Sequence, residues 1–199
     1  SFPLDSKVSG YTEMIPVRAI ARNVVAELKT TGKKDNQRYI LVGGHFDHLG
    51  MGGENTGSRA PDTTAVHNGA DDNASGIAAM IEIAEKLHSR KDSLKSNVIF
   101  AGFDAEEMGL IGSRYFVSSE VIDLKKVDAM INLDMIGRLR DERSLQIGGI
   151  GTSEEAEEII RSLNAADSFR LGLTPEGYGP SDHSSFYSQD IPVFFFSTG

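Results

Sequence analysis

Asn97-Val98-Ile99-Phe100-Ala101-Gly102-Phe103 runs without a charge into Asp104-Ala105-Glu106-Glu107. An apolar run this short suits a strand covered on both faces, as in a parallel sheet with helices on either side. Residues 129–134 and 191–196 read the same way, with Pro192 placed at the start of its strand. Between such runs lie helical patterns. Ile77, Ile81, Ala84 and Leu87 recur at helical spacing over residues 74–90, and Lys86, Arg90 and Lys91 sit where cations suit a helix C-terminus. Thr152 with Glu155 reads as a capping box opening a second helix through Ala156, Ile159, Ile160 and Leu163. A shorter helix is predicted over residues 109–118. Alternating strands and helices imply an α/β fold, a three-layer arrangement with a mixed, mostly parallel β-sheet flanked by helices. Residues 21–28 and 38–43 read as two further strands, separated by the polar stretch 30–37 and paired as an antiparallel hairpin at the sheet margin. Residues 49–69, rich in Gly, Asn, Asp, Thr and Pro, read as a long surface loop.

The composition narrows the function. With 199 residues and 39% hydrophobic content, the chain is expected to form a single domain, 1–199, with a substantial core. Its abrupt start, and an end directly after a strand-like run, suggest a piece of a longer protein truncated at both ends. A formal net charge of -9 argues against a nucleic-acid partner, which calls for a basic face. The apolar runs are far too short for a membrane span. The chain has no cysteine, which rules out disulfides, thiolate zinc sites and cysteine nucleophiles and leaves His, Asp and Glu as metal donors.

Those donors stand where strands end and loops begin, the edge at which open α/β sheets gather ligands. In Gly43-Gly44-His45-Phe46-Asp47-His48 the His-x-Asp spacing lets a carboxylate orient a metal-binding imidazole, although a strand-end histidine beside a solvated aspartate fits equally well. Asp71 and Asp72 precede the first long helix; one acid serves a cap, and the other is available to bridge two cations. Of the adjacent Glu106 and Glu107, one can face a metal and the other a water, while an acidic helix start is the plainer alternative. Asp134 ends an apolar run, where a buried acid needs a partner such as a metal. His183, within Ser181-Asp182-His183 and near Tyr178, reads as a ligand, a substrate contact or a surface imidazole. A Ser-His-Asp triad lacks its Gly-x-Ser-x-Gly elbow. His67 and His88 read as structural histidines.

Taken together, these five ordered segments resemble metallopeptidase family 28, exopeptidases with two adjacent zinc ions, from about Ala21 onward. The resemblance implies a phosphorylase/hydrolase-like zinc-exopeptidase fold and a peptide-cleaving activity, with removal of N-terminal residues ranked first. It implies that His45 and Asp134 ligate one zinc, Glu107 ligates the other, and Asp72 bridges two cations roughly 3.5 to 4 Å apart. Glu106 corresponds to the general base, and Asp47 to the residue orienting His45. A cis peptide is implied between Asp72 and Asn73. Tyr178 is a candidate donor to the developing oxyanion, and Asp182 and His183 are candidate substrate or supporting residues. The family's last zinc ligand, a histidine in an aromatic-His-Thr segment, lies beyond Gly199, so the second site is expected to be incomplete within these residues. Carboxypeptidase or glutaminyl-cyclase-like chemistry is the alternative within enzymes, with Arg138 and Arg140 as carboxylate binders. A noncatalytic metal-binding or interaction module is the alternative outside them. An extracytoplasmic location follows from the family analogy alone.

Overall fold

A computed structural model describes residues 2–7, 16–30 and 38–199, with side chains described from Ile20 onward. Phe2–Lys7 (β1) and Pro16–Ala21 (β2) pair antiparallel as a separate two-stranded sheet. The main sheet holds Val24–Leu28 (β3), Tyr39–His45 (β4), Asn97–Phe103 (β5), Val127–Leu133 (β6), Ser144–Gly148 (β7), Arg170–Leu173 (β8) and Val193–Ser197 (β9). Their order is β3-β5-β4-β6-β9-β7-β8. The central strands β5, β4, β6 and β9 run parallel, while β3 joins β5 and β7 joins β9 antiparallel. Among the described residues four α-helices accompany them: Gly76–His88 (α1), Ile111–Ser118 (α2), Ala156–Asp167 (α3) and His183–Tyr187 (α4). Among the described residues, no helix is long and apolar enough to cross a membrane.

Period-two alternation divides the central strands between two cores. Leu41, Ile99, Ala101, Phe103 and Met130 point to one face and pack with Phe116 of α2 and Phe186 of α4. Phe103, Phe116 and Phe186 form a triangle of rings with every centroid pair 5.8 Å apart. Val42, Val98, Phe100 and Leu133 point to the opposite face and pack with Ile77, Met80, Ile83, Ala84 and Leu87 of α1. The result is helix, sheet, helix.

Chain order then places the crevice. From β4 the chain passes through α1 to β5 on one side, and from β5 through α2 to β6 on the other. Neighbouring connections that diverge in this way leave a gap at the carboxyl end of β4, the usual ligand position in open α/β sheets. His45 is the last residue of β4.

Three local expectations are corrected. The strand at 24–28 does not pair with β4 as a hairpin, because β5 lies between them, parallel to β4 and antiparallel to β3. The connecting stretch falls largely on residues 31–37, outside the described residues. Thr152 is not a helix cap: its Oγ donates to the Gly149 and Val193 carbonyls and accepts from Val193 N–H, tying the turn to β9. The helix therefore begins three residues after Ser153, with Glu155 making no side-chain cap bond. Ile81, at core spacing on α1, is 52% exposed. It lines an apolar groove of about 400 Å³ with Val24, Ala26, Phe46, Ile77 and Phe100, where β3 and α1 leave the sheet uncovered.

Gly76 opens α1 at a point where a Cβ would clash with the side-chain oxygen of Asn73 and the Leu133 carbonyl. Helix propensity alone makes Gly→Ala favourable by about 1 kcal/mol. Overpacking costs about 1–3 kcal/mol and falls here on backbone that cannot yield. Gly76→Ala is therefore expected to lower stability in urea unfolding, and a gain would refute this account of the helix start.

Candidate metal centre

The residues singled out at strand ends converge. His45 closes β4, Glu106 and Glu107 follow β5, Asp134 follows β6, and Asp72 precedes α1. His45 is 1% exposed, and its Nε2 lies 3.2 Å from Asp72 Oδ1, 3.5 Å from Asp134 Oδ1 and 3.9 Å from Glu106 Oε2. Donor atoms of His45, Glu106 and Asp134 all fall within 4.8 Å of one another, and those of His48, Asp72 and Glu107 form a second such group. Asp72 stands between them. Its Oδ1 faces His45, while its Oδ2 lies 3.8 Å from His48 Nδ1. His48 Nδ1 in turn meets Glu107 Oε1 at 2.7 Å.

Asp47 orients this edge in two ways. Its backbone carbonyl lies 3.0 Å from His45 Nδ1, with its carboxylate at 3.6 Å. The same carboxylate accepts the N–H groups of Glu106 and Glu107 at 3.0 and 3.2 Å. One aspartate thus fixes both an imidazole and the turn carrying two glutamates.

Asn73 ties the opposite wall together. Its Nδ2 donates to the Leu133 carbonyl, and its Oδ1 accepts from Gly76 and Met135 N–H. The Asp72-Asn73 peptide is cis. A Cβ on Gly44 would lie 2.8 Å from the Leu133 carbonyl, so this wall closes directly on β4. Asp71 faces away from the clusters: Oδ1 accepts Gly137 N–H at 2.8 Å, and Oδ2 pairs with Arg138 Nε at 2.9 Å.

The titration behaviour follows from crowding. Burial disfavours the His45 imidazolium, but the adjacent carboxylates of Asp134, Asp47 and Asp72 and the field of Glu106 outweigh it and hold the pKa far above the ordinary histidine range. Burial, reinforced by Asp182, Asp134 and Glu107, pushes Glu106 up to about 8 against the pull of His45. Burial and Asp72 raise Glu107, whereas the His45 hydrogen bond lowers Asp72. Asp182 is fully buried, which lifts its carboxyl to about 7. Such displaced values mark sites of chemistry or ion binding.

The remaining candidates lie elsewhere. His183 is enclosed, its ring stacked on Phe195 at 4.6 Å and a Cβ on Gly179 only 2.6 Å from its Nε2. That packing buries it, and the surface-imidazole reading is corrected. Tyr178 is 64% exposed and packs edge-on against Tyr187 at 4.7 Å; no contact among the described residues links it to either cluster. Arg138 is engaged by Asp71, and Arg140 is exposed. His48 received no role from the sequence, although its place one residue after Asp47 was visible. A cleft of about 1080 Å³ opens beside Asp72 and Glu107, lined also by His48, His67, Arg59 and Arg138.

The family model described as "Peptidase family M28" matches residues 23–199. The chain belongs to peptidase family M28. This M28 chain is 35% identical over 136 residues to a protein named probable zinc metalloprotease from Pyrenophora tritici-repentis, covering 68% of the chain and 29% of that relative. The solved aminopeptidase from Aneurinibacillus sp. strain AM-1 matches at 29% identity and a TM-score of 0.68, over 89% of this chain and 39% of its own. A glutaminyl cyclase from Porphyromonas gingivalis, at 20% identity and a TM-score of 0.67, covers 98% of this chain and 68% of its own, and shares the fold. The M28 chain thus spans less than a third of that curated relative and about two fifths of the solved aminopeptidase.

Burial holds His183 down at about 4, with Asp134 opposing. A histidine kept neutral in the fold contributes stability that is present above about pH 6.5 and is lost as pH falls toward 4. In metal-free unfolding titrations, the stability advantage of wild type over His183→Gln should shrink across that window. An advantage independent of pH would refute the neutral buried imidazole.

Proposed function

We propose that the protein is a zinc-dependent aminopeptidase in which two cations share Asp72. The observation that carries this reading is the division of the Asp72 carboxylate, one oxygen toward His45 and the other toward the group containing Glu107 and His48. The donor set supports it. Imidazole and carboxylate suit zinc in a chain without thiolates. Asp134 Oδ1 is buried without a hydrogen-bond partner among the described residues, a position that a cation satisfies. His45, Asp134 and Asp72 would hold one zinc, and Glu107 with Asp72 the other. The names of the relatives, a zinc metalloprotease and an aminopeptidase, point the same way.

Zinc bound at such a centre brings the pKa of a water toward 7 and polarises a carbonyl. The rest is done by the chain. Glu106 is 9% exposed and raised to about 8 in the metal-free chain, so it holds a proton at pH 7 there; beside bound cations its carboxyl would be deprotonated, placed to take a proton from an attacking water and return it to the leaving amine. Asp47 keeps that carboxylate in place through the Glu106 N–H. The carboxylates facing the cleft favour a peptide's cationic N-terminus over its carboxylate, which ranks aminopeptidase action above carboxypeptidase action.

The experiments use the full-length protein. Glu106→Gln is expected to retain zinc yet lose peptide hydrolysis by about 100-fold or more; near-normal turnover would exclude Glu106 as the base. Peptides amidated at the C-terminus should be cleaved and N-blocked ones should not, while release of ammonia from N-terminal glutamine would favour cyclase chemistry instead. Because His45 is held protonated, zinc must displace its proton on binding. Calorimetry in buffers of different ionisation enthalpy should record release of at least one proton per first zinc at pH 7. Affinity should rise with pH, and binding without proton release would contradict the assignment.

A further inference from the structure

We infer that Arg59 sets substrate specificity by binding a carboxylate on the leaving side of the peptide, the C-terminus of a short peptide or an acidic side chain; this rests on the aminopeptidase reading above. The cleft beside the candidate centre has two characters. Asp72 and Glu107 line it at the metal groups, and Arg59 lines it from the loop at 49–69. A compact space of about 1080 Å³ is about 13 Å across, the reach of about three or four extended residues. A peptide whose cationic amino end lies at the acids therefore brings its downstream part to Arg59. That side chain is exposed and makes no ion pair among the described residues. Arg138 lines the same cleft, but Asp71 already neutralises it at 2.9 Å.

The loop is built to present this arginine. Its stems are zipped: Ala65 N–H donates to the Met51 carbonyl at 2.8 Å, His67 N–H donates to the Gly50 carbonyl at 2.7 Å, and Gly52 bridges to Thr64. His67 braces it from inside. Its Nδ1 meets the Ala65 carbonyl at 2.9 Å and its Nε2 meets Ser58 Oγ at 2.8 Å, while Ser58 Oγ also accepts Ala60 N–H at 3.1 Å. Both neighbours of Arg59 are thereby held. The imidazole fits only because Gly52, with φ 65, has no side chain, since a Cβ there would lie 2.2 Å from the ring. A braced backbone lowers the ordering cost of binding, and the guanidinium fork matches a carboxylate with two parallel hydrogen bonds. A chain of net charge -9 otherwise repels anions, so an unpaired cation inside the cleft decides where a substrate carboxylate settles.

The test uses the full-length protein and two substrate pairs. One is a tripeptide with a free C-terminus against the same tripeptide amidated; the other is a pair of amidated tripeptides with glutamate or glutamine in second position. Wild type is expected to cleave the carboxylate-bearing member of at least one pair with kcat/KM about fivefold or more above its neutral partner, the difference lying in KM. The pair that shows it identifies a terminal or a side-chain carboxylate as the group bound. Arg59→Gln should bring that ratio below about twofold. Because each ratio is taken within one protein, changes in folding or zinc content cancel. Ratios near one for both pairs in wild type overturn the proposal and leave the aminopeptidase reading standing. A wild-type preference that survives Arg59→Gln overturns the role of Arg59. Failure to release the N-terminal residue from any of the peptides overturns the aminopeptidase reading and this proposal with it.

Discussion

Everything at the carboxyl edge of the sheet depends on one electrostatic constraint: three acids, Asp72, Glu106 and Asp134, face a single buried imidazole. One proton on His45 cannot neutralise them. The chain meets the deficit by holding that imidazolium strongly and by lifting Glu106 to about 8. A polypeptide selected for stability alone would not gather like charges in a buried crevice, because desolvation and repulsion both oppose it. The cluster is therefore best understood as the protein half of a larger assembly whose other half carries positive charge.

The scaffold makes such crowding tolerable because the acids arrive on separate, stiff supports. Parallel β4, β5 and β6, anchored on both faces by side chains such as Leu41 and Val42, bring their ends to one line. Hydrogen bonds from Asp47 and Asn73 then set the turns that follow. None of the carboxylates needs to find its neighbours by itself.

Much of this was legible in the chain. The charge-free run at 97–103 coincides with β5, and the spacing of Ile77, Ala84 and Leu87 gave α1, since burial on two faces or one stripe leaves a local signature. β7 and β8 carry weaker patterns, with Ser144, Gln146 and Arg170 among few apolar residues, and were not read as strands. The pairing of β3 with β5 was misread because strand order is a long-range property, and nearness in sequence favoured a hairpin. Thr152 shows a further limit: the same hydroxyl pattern serves a helix cap or a distant strand, and only tertiary contact decides. The site was legible through its residue types at strand ends. The place of His48 was not, because its contact with Glu107 spans 59 positions.

Asn73 has a mechanical consequence. Its amide clamps the start of α1 to the end of β6, and the residues beside the clamped atoms are Asp72 and Asp134. The helix and the strand cannot breathe apart without breaking buried hydrogen bonds. The span between those two aspartates is thereby fixed from both sides, like the opening of a gauge.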